Sequence, residues 1–213
     1  MSFGLTSASV ASSTQNPVTV GDSPTVLSAI ADPSVRLAIW RRTLEPTLEA
    51  AARAVCRRSL GYAGALRPFE PADEDRFRAA LVAAAGPMVA PIADDLVALA
   101  RAFVEVRQAS VVRVRFETIA DDGCARFHVD HVALRLLTTY RGTGTQWVAP
   151  PHARTAHARQ TAYRGPLNTL SAGHVALFRG ARSDGAGGIM HRSPPRGKNG
   201  VTRLLGVIDD PGG

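Results

Sequence analysis

The stretch Cys124-Ala-Arg-Phe-His-Val-Asp-His131 carries the densest chemistry in this 213-residue chain. His128 and Asp130 lie two residues apart. On an extended strand, residues two apart share one face, so both groups can reach one metal ion while Val129 packs behind them. His191, in Ile-Met-His-Arg-Ser-Pro, offers a second imidazole from a distant strand. Two imidazoles and one carboxylate on one side of a divalent metal leave the other coordination positions open to small ligands. Arg203 completes the set. In Val201 to Val207 it shares a face with Val201, Leu205 and Val207, so it should point inward. A buried guanidinium needs an anion. A bound carboxylate held bidentately is one partner, and an internal ion pair with Glu117 is the other.

A second metal arrangement uses His131. His128-x-x-His131 would put two imidazoles on one face of a helix but on opposite faces of a strand. Cys124 or His191 would then complete a zinc site. Phe127, Val129 and Val132 favour the strand, which leaves His131 as a polar neighbour of the site or a surface residue. Cys124 then reads as a small buried residue. Other chemistries find little support. There is no Gly-x-Ser-x-Gly nucleophile elbow. Neither Gly142-Thr-Gly-Thr145 nor Gly185-Ala-Gly-Gly188 continues as a phosphate-binding loop.

The elements that must position these residues change character near residue 109. Residues 1–22 are small and polar and read as a disordered arm. Residues 23–108 read as a helical support region. A capped turn starts at Asp22-Ser-Pro, and a short apolar segment ends at Trp40. Helices are expected over Leu44–Leu60, Asp73–Ala85 and Ile92–Val106, with a loop over Tyr62–Pro71. From Val111 the period switches to two. Strands are expected over Val111–Ile119, Phe127–Asp130, Leu134–Tyr140, Gly173–Phe178, Ile189–His191 and Val201–Ile208. Loops over 149–166 and 180–188 would flank the mouth of the site, where they can serve as a lid or as plain connectors. The fold class is therefore α+β, with an all-β unit over 109–210.

Composition sets the frame. The chain is 45% hydrophobic and 20% charged, ordinary for a globular protein able to bury its own core. Its formal charge of +7 comes almost wholly from arginine, since Lys198 is the single lysine. The arginines are spread along the chain, and the pairs Arg41-Arg42 and Arg57-Arg58 lack interleaved aromatics. Nucleic acid is therefore a disfavoured partner despite the basic pI. Two cysteines in separate elements suggest no disulfide framework, and the reading expects a cytoplasmic protein. No apolar run is long enough to span a bilayer, so no membrane partner is expected.

The ordered series His128-x-Asp130, Arg135-Leu-Leu-Thr-Thr-Tyr140, Gly144-Thr-Gln-Trp, Ala172-Gly-His-Val-Ala-Leu-Phe, His191 and Arg203 resembles the 2-oxoglutarate/Fe(II) dioxygenases of the prolyl-hydroxylase-like branch. That resemblance covers roughly the last hundred residues. It implies a double-stranded β-helix (jelly-roll or cupin-like), with Fe(II) on His128, Asp130 and His191. It also implies 2-oxoglutarate on Arg203, with Tyr140 and Thr138 as further contacts. Lys198 and Arg196 also lie near His191 and are rival anchors for the co-substrate. A small-molecule or peptide substrate would follow. Leu37-Ala-Ile-Trp-Arg-Arg42, Cys124-Ala-Arg-Phe-His-Val-Asp130 and His191-Arg-Ser-Pro also resemble the bacterial domain of unknown function 1826 family over residues 25–210. That second resemblance brings no established activity, but implies a link to zinc homeostasis. The alternative function is thus a non-catalytic zinc-binding protein on the same fold.

Overall fold

The computed structural model describes residues 17–55, 61–66, 71–119, 124–183, 187–195 and 202–210. Lys198 and Arg196 lie outside these residues. In chain order the strands and α-helices are β1 (Val18–Gly21), β2 (Leu37–Trp40), α1 (Pro46–Val55), β3 (Gly61–Leu66), α2 (Pro71–Ala85), α3 (Ala90–Arg107), β4 (Val112–Ile119), β5 (Leu134–Arg141), β6 (Gln146–Trp147), α4 (Pro150–Arg159), β7 (Asn168–Thr169), β8 (Val175–Arg179), β9 (His191–Arg192) and β10 (Arg203–Asp209).

Seven strands form one large sheet in the order β1-β2-β8-β5-β10-β4-β3, and three form a small sheet in the order β7-β6-β9. His128 joins the small sheet through a single antiparallel bridge to His191. From β4 onward the chain therefore passes back and forth between the sheets. β4, β5, β8 and β10 lie in the large sheet; His128, β6, β7 and β9 lie on the small one.

Side-chain alternation explains why the large sheet can be covered on both faces. On β10, Leu204 and Ile208 pack towards the helices, among Leu96, Ala100 and Phe103 of α3. Leu205 and Val207 pack towards the small sheet, among Leu137, Phe178 and Ile189. Helix α3 has the apolar spacing for this role, with Ile92, Leu96, Leu99, Phe103 and Val104 buried. It ends at Gln108, whose left-handed backbone (φ 55) lets its N–H reach the carbonyl of Val104 at 2.7 Å. Asp95, also on α3, ties the layers together. It accepts two hydrogen bonds from Arg42 at 2.6 and 2.7 Å and one from the Tyr140 hydroxyl at 2.6 Å.

Several elements differ from the sequence reading. The N-terminal half is not purely helical, because β1, β2 and β3 supply both edges of the large sheet. Val18–Gly21, inside the expected arm, pairs in parallel with Leu37–Trp40. These four-residue strands are too short for the period of two to show. Gly61–Leu66, expected as loop, pairs antiparallel with β4. Its two glycines and two alanines gave no strand signal. The expected loop over 149–166 contains α4 and a 3-10 turn over Gln160–Ala162. Pro150 and Pro151 open that helix, where their missing N–H groups cost nothing. Among the described residues, no helix is long and apolar enough to cross a membrane.

Helix α3 sits directly on β10 at Gly206. A Cβ on Gly206 would meet Leu96 Cδ2 at 2.8 Å, and Leu96 is fully buried. Leu96→Ala is expected to cost about 2–5 kcal/mol of stability through the cavity it leaves, measured by urea unfolding followed by circular dichroism.

Candidate metal centre

His128, Asp130 and His191 converge between the two sheets. One ligand atom from each lies within 4.8 Å of the others. Asp130 Oδ2 lies 3.2 Å from His191 Nε2, and Asp130 Oδ1 lies 3.6 Å from His128 Nε2. The backbone makes this meeting. His128 and His191 exchange N–H···O bonds of 2.9 and 3.0 Å across the bridge, and their rings sit 4.6 Å apart. Phe178 of β8 backs His191 at 4.7 Å.

Neighbouring groups hold the segment in place. The side-chain amide of Gln160 accepts from the N–H of Phe127 at 2.7 Å and donates to its carbonyl at 3.1 Å, in the manner of a strand partner. Arg192 points to the far side of the small sheet and stacks over the Phe127 ring at 4.3 Å. After Asp130 the chain is pinned to the end of β8. Ala181 N–H donates to Asp130 O at 2.8 Å, and Gly180 N–H to Ala133 O at 2.9 Å. Only glycine fits at 180, because a Cβ there would drive into the carbonyls of Val132 and Asp130.

The imidazoles are oriented for metal binding. His128 Nδ1 lies 2.8 Å from Arg126 O, and His191 Nδ1 lies 3.1 Å from Ile189 O. A carbonyl only accepts, so Nδ1 carries the proton and Nε2 presents its lone pair inward. Asp130 is buried. Burial alone would raise its pKa, but the imidazoles of His128 and His191, which donate to it only when protonated, and the charge of Arg135 hold the carboxyl far below the usual range. The same contact raises His128, against the opposing effect of burial. Arg135 of β5 contacts Asp130 Oδ1 and donates to Asp209 Oδ2 through Nε at 3.1 Å and Nη2 at 2.7 Å. Oδ2 of Asp130 is buried and makes no hydrogen bond among the described residues. This donor set suits a divalent metal: two neutral imidazoles and a carboxylate with one oxygen tied back and the other free.

Arg203 lies on the metal side of the large sheet. It donates to the hydroxyls of Ser193 at 3.1 Å, Thr139 at 3.2 Å and Thr145 at 2.6 Å. Its Nε is buried without a partner, and no carboxylate among the described residues pairs with it. Glu117 instead meets Arg115 at 3.4 Å. Burial pushes the Arg203 pKa down to about 10, with the more distant Glu117 opposing. Each hydroxyl accepts from the guanidinium and keeps its own O–H to donate.

The structure brings His128, Asp130 and His191 together, places Arg203 on the same side of the large sheet, and turns Tyr140 and Thr138 away. Tyr140 faces the helices, edge-on to Phe116 and bonded to Asp95. Thr138 faces the same way, 3.1 Å from the Cβ position of Gly206. The residue between them, Thr139, is the one that meets Arg203. Strict alternation from Leu137 would have found it and would have placed Arg135 on the same face. Thr145 and Ser193 lie in turns and carried no such signal. Within Phe127–Asp130 only His128 forms a β-bridge, so the expected strand is reduced to that one residue. His131 and Cys124 are both exposed and stand outside the cluster. The expected burial of Cys124 is thereby corrected. The zinc arrangement built on them does not form.

Residues 21–209 match the model of the family described as "Protein of unknown function (DUF1826)", and the chain belongs to that family. No curated protein matches it. Among solved structures it is similar to a Pseudomonas putida prolyl-4-hydroxylase, with 14% identity, 87% of this chain and 96% of that chain covered, and a TM-score of 0.47. It is also similar to a full-length Neurospora crassa protein in complex with alpha-KG, with 11% identity, 91% and 83% covered, and a TM-score of 0.46.

Two substitutions test the centre. Asp130→Ala removes the only carboxylate among its three ligands and should abolish Co(II) binding, followed by the visible spectrum of the bound ion. Arg135→Leu strands Asp209 and Asp130 without their shared cation. It should cost about 3–5 kcal/mol, read from denaturant unfolding.

Proposed function

We propose that this member of the DUF1826 family is an Fe(II)- and 2-oxoglutarate-dependent oxygenase, acting on a small-molecule or peptide substrate. The observation that carries the reading is the pairing of a two-histidine, one-carboxylate cluster with a buried, anion-less arginine on the same side of the sheet. The passage of the chain between two sheets from β4 to β10 is the connectivity of a double-stranded β-helix, and supports it.

His128 Nε2, Asp130 Oδ2 and His191 Nε2 would hold the metal on one face. Bound iron with 2-oxoglutarate supplies a two-electron oxidation of substrate by O₂. Arg203 fixes the far carboxylate of the co-substrate, and Thr139, Thr145 and Ser193 hold its guanidinium in place. Arg135 keeps Oδ1 of Asp130 turned away from the ligand position. Leu137, Phe178 and Ile189 line the space between the sheets and exclude water.

Anaerobic titration with Fe(II) and 2-oxoglutarate should give the visible charge-transfer band of the chelate. Arg203→Ala should weaken 2-oxoglutarate at least ~30-fold, since it leaves a buried carboxylate unpaired, while Co(II) still binds. Tight zinc binding with no band would overturn the oxygenase reading in favour of a non-catalytic zinc protein.

A further inference from the structure

A second cavity lies on the opposite side of the large sheet from the metal centre. It has a volume of about 480 Å³ and opens between α1, the end of β5 and the turn before β8. Three arginines line it, Arg42, Arg53 and Arg141, against one carboxylate, Glu49.

The position of Arg141 is the telling feature. Simple alternation along β5 would send it to the Arg203 side with Thr139. The pairing of β5 with β10 slips at this point: Leu205 faces Thr139, but Leu204 faces Arg141. Tyr140 is the extra residue of a β-bulge, and bulges re-aim side chains. Arg141 is thereby turned to the helical side, into the cavity beside Tyr140. No carboxylate among the described residues pairs with it there. Arg42 is held rigidly at the wall by Asp95 and by the carbonyl of Gly173 at 2.8 Å. Arg53 meets Glu49 at 3.4 Å in an exposed pair, the weak kind that a better anion displaces. His174, at the same cavity, is lowered by burial and by the nearby charge of Arg41. Thr43 and Ser171 add hydroxyls, and Leu44 and Ala172 add an apolar wall.

We propose that this cavity is a second ligand site, which takes a small phosphomonoester. The guanidinium groups of Arg141 and Arg53 and the hydroxyls at the wall suit the terminal oxygens of a phosphate dianion. A bare phosphate ion would fill only part of the volume, and the apolar wall accommodates the organic part of an ester. The site shares no side chain with the metal centre and does not rest on the oxygenase reading.

The test is isothermal titration of the full chain with glycerol 3-phosphate, glucose 6-phosphate and AMP, with citrate and inorganic phosphate for comparison. At least one ester should saturate one site with Kd below ~1 mM, more tightly than citrate or free phosphate. Arg141→Ala and Ser171→Trp, both at exposed or half-exposed positions, should each weaken it roughly tenfold or more, with circular dichroism and Co(II) binding unchanged. The proposal is overturned if no ester saturates, if citrate binds more tightly than every ester, or if both variants bind as the parent does. Loss of ester binding in Arg203→Ala alone would also overturn it, because the ester would then sit at the metal face.

Discussion

A carboxylate buried between two sheets is the constraint on which this structure turns. Asp130 has almost no contact with water, and an isolated charge in that position would cost several kcal/mol. Its environment is arranged to prevent that cost. Two imidazoles approach from the small sheet and Arg135 from the large one. The requirement propagates outward. Arg135 needs Asp209 to complete its coordination, and Asp209 takes a further bond from Arg115 at 3.1 Å. Three strands of the large sheet are thus tied by charge to one residue in the segment that joins β4 to β5. A metal ion would add a further cation to a carboxylate that already carries one guanidinium, so Arg135 tempers the charge that Asp130 can offer.

The two clusters of polar residues on the large sheet illustrate how a strand separates functions by parity. On β5, Arg135 and Thr139 serve the metal side, while Thr138 and Tyr140 serve the helical side. On β10, Arg203 and Asp209 stand at opposite ends of the same face, Arg203 bonded to Thr139, Thr145 and Ser193 and Asp209 to Arg135, the partner of Asp130. Helices α1 to α3 lie on the side of the large sheet away from the metal centre. Their contribution is to cover that face, and α3 fixes β5 through Asp95, half-buried with Arg42 and bonded to the buried Tyr140. Burial raises the Tyr140 hydroxyl well above its ordinary range, with Asp95 acting in the same direction, so it remains a donor.

Much of this was legible in the sequence where side chains alternate over long elements. The burial of Arg203 followed from the apolar parity of Leu205 and Val207, and His128-x-Asp130 with His191 stood out by residue type. What was illegible depends on pairing rather than composition. β1 and β2 are strands because they complete a sheet, and β3 is one although its glycines and alanines favour nothing. Tyr140 and Thr138 were misplaced by one step because a tyrosine attracts a functional reading more readily than Thr139 does. The bulge at Tyr140 leaves no mark in the sequence, since nothing in Thr-Thr-Tyr-Arg distinguishes a slipped register from a regular one. Cys124 is exposed because its segment runs at the margin of the small sheet, beyond the bridge at His128.

The strand that closes the fold is the last of its sheet to be made. β10 lies between β4 and β5 inside the large sheet, although it follows every other described strand in sequence. Until residues 203–209 insert, β4 and β3 have no bond to the remaining strands, and the large sheet stands in two pieces with open edges. Folding is therefore governed by a long-range closure of high sequence separation, the kind that proceeds slowly. A nascent chain lacking those seven residues has neither the strand that joins the two pieces nor Arg203, and it presents unpaired strand edges to its neighbours. Completion of the sheet and the placing of Arg203 beside Thr139 are thus one event.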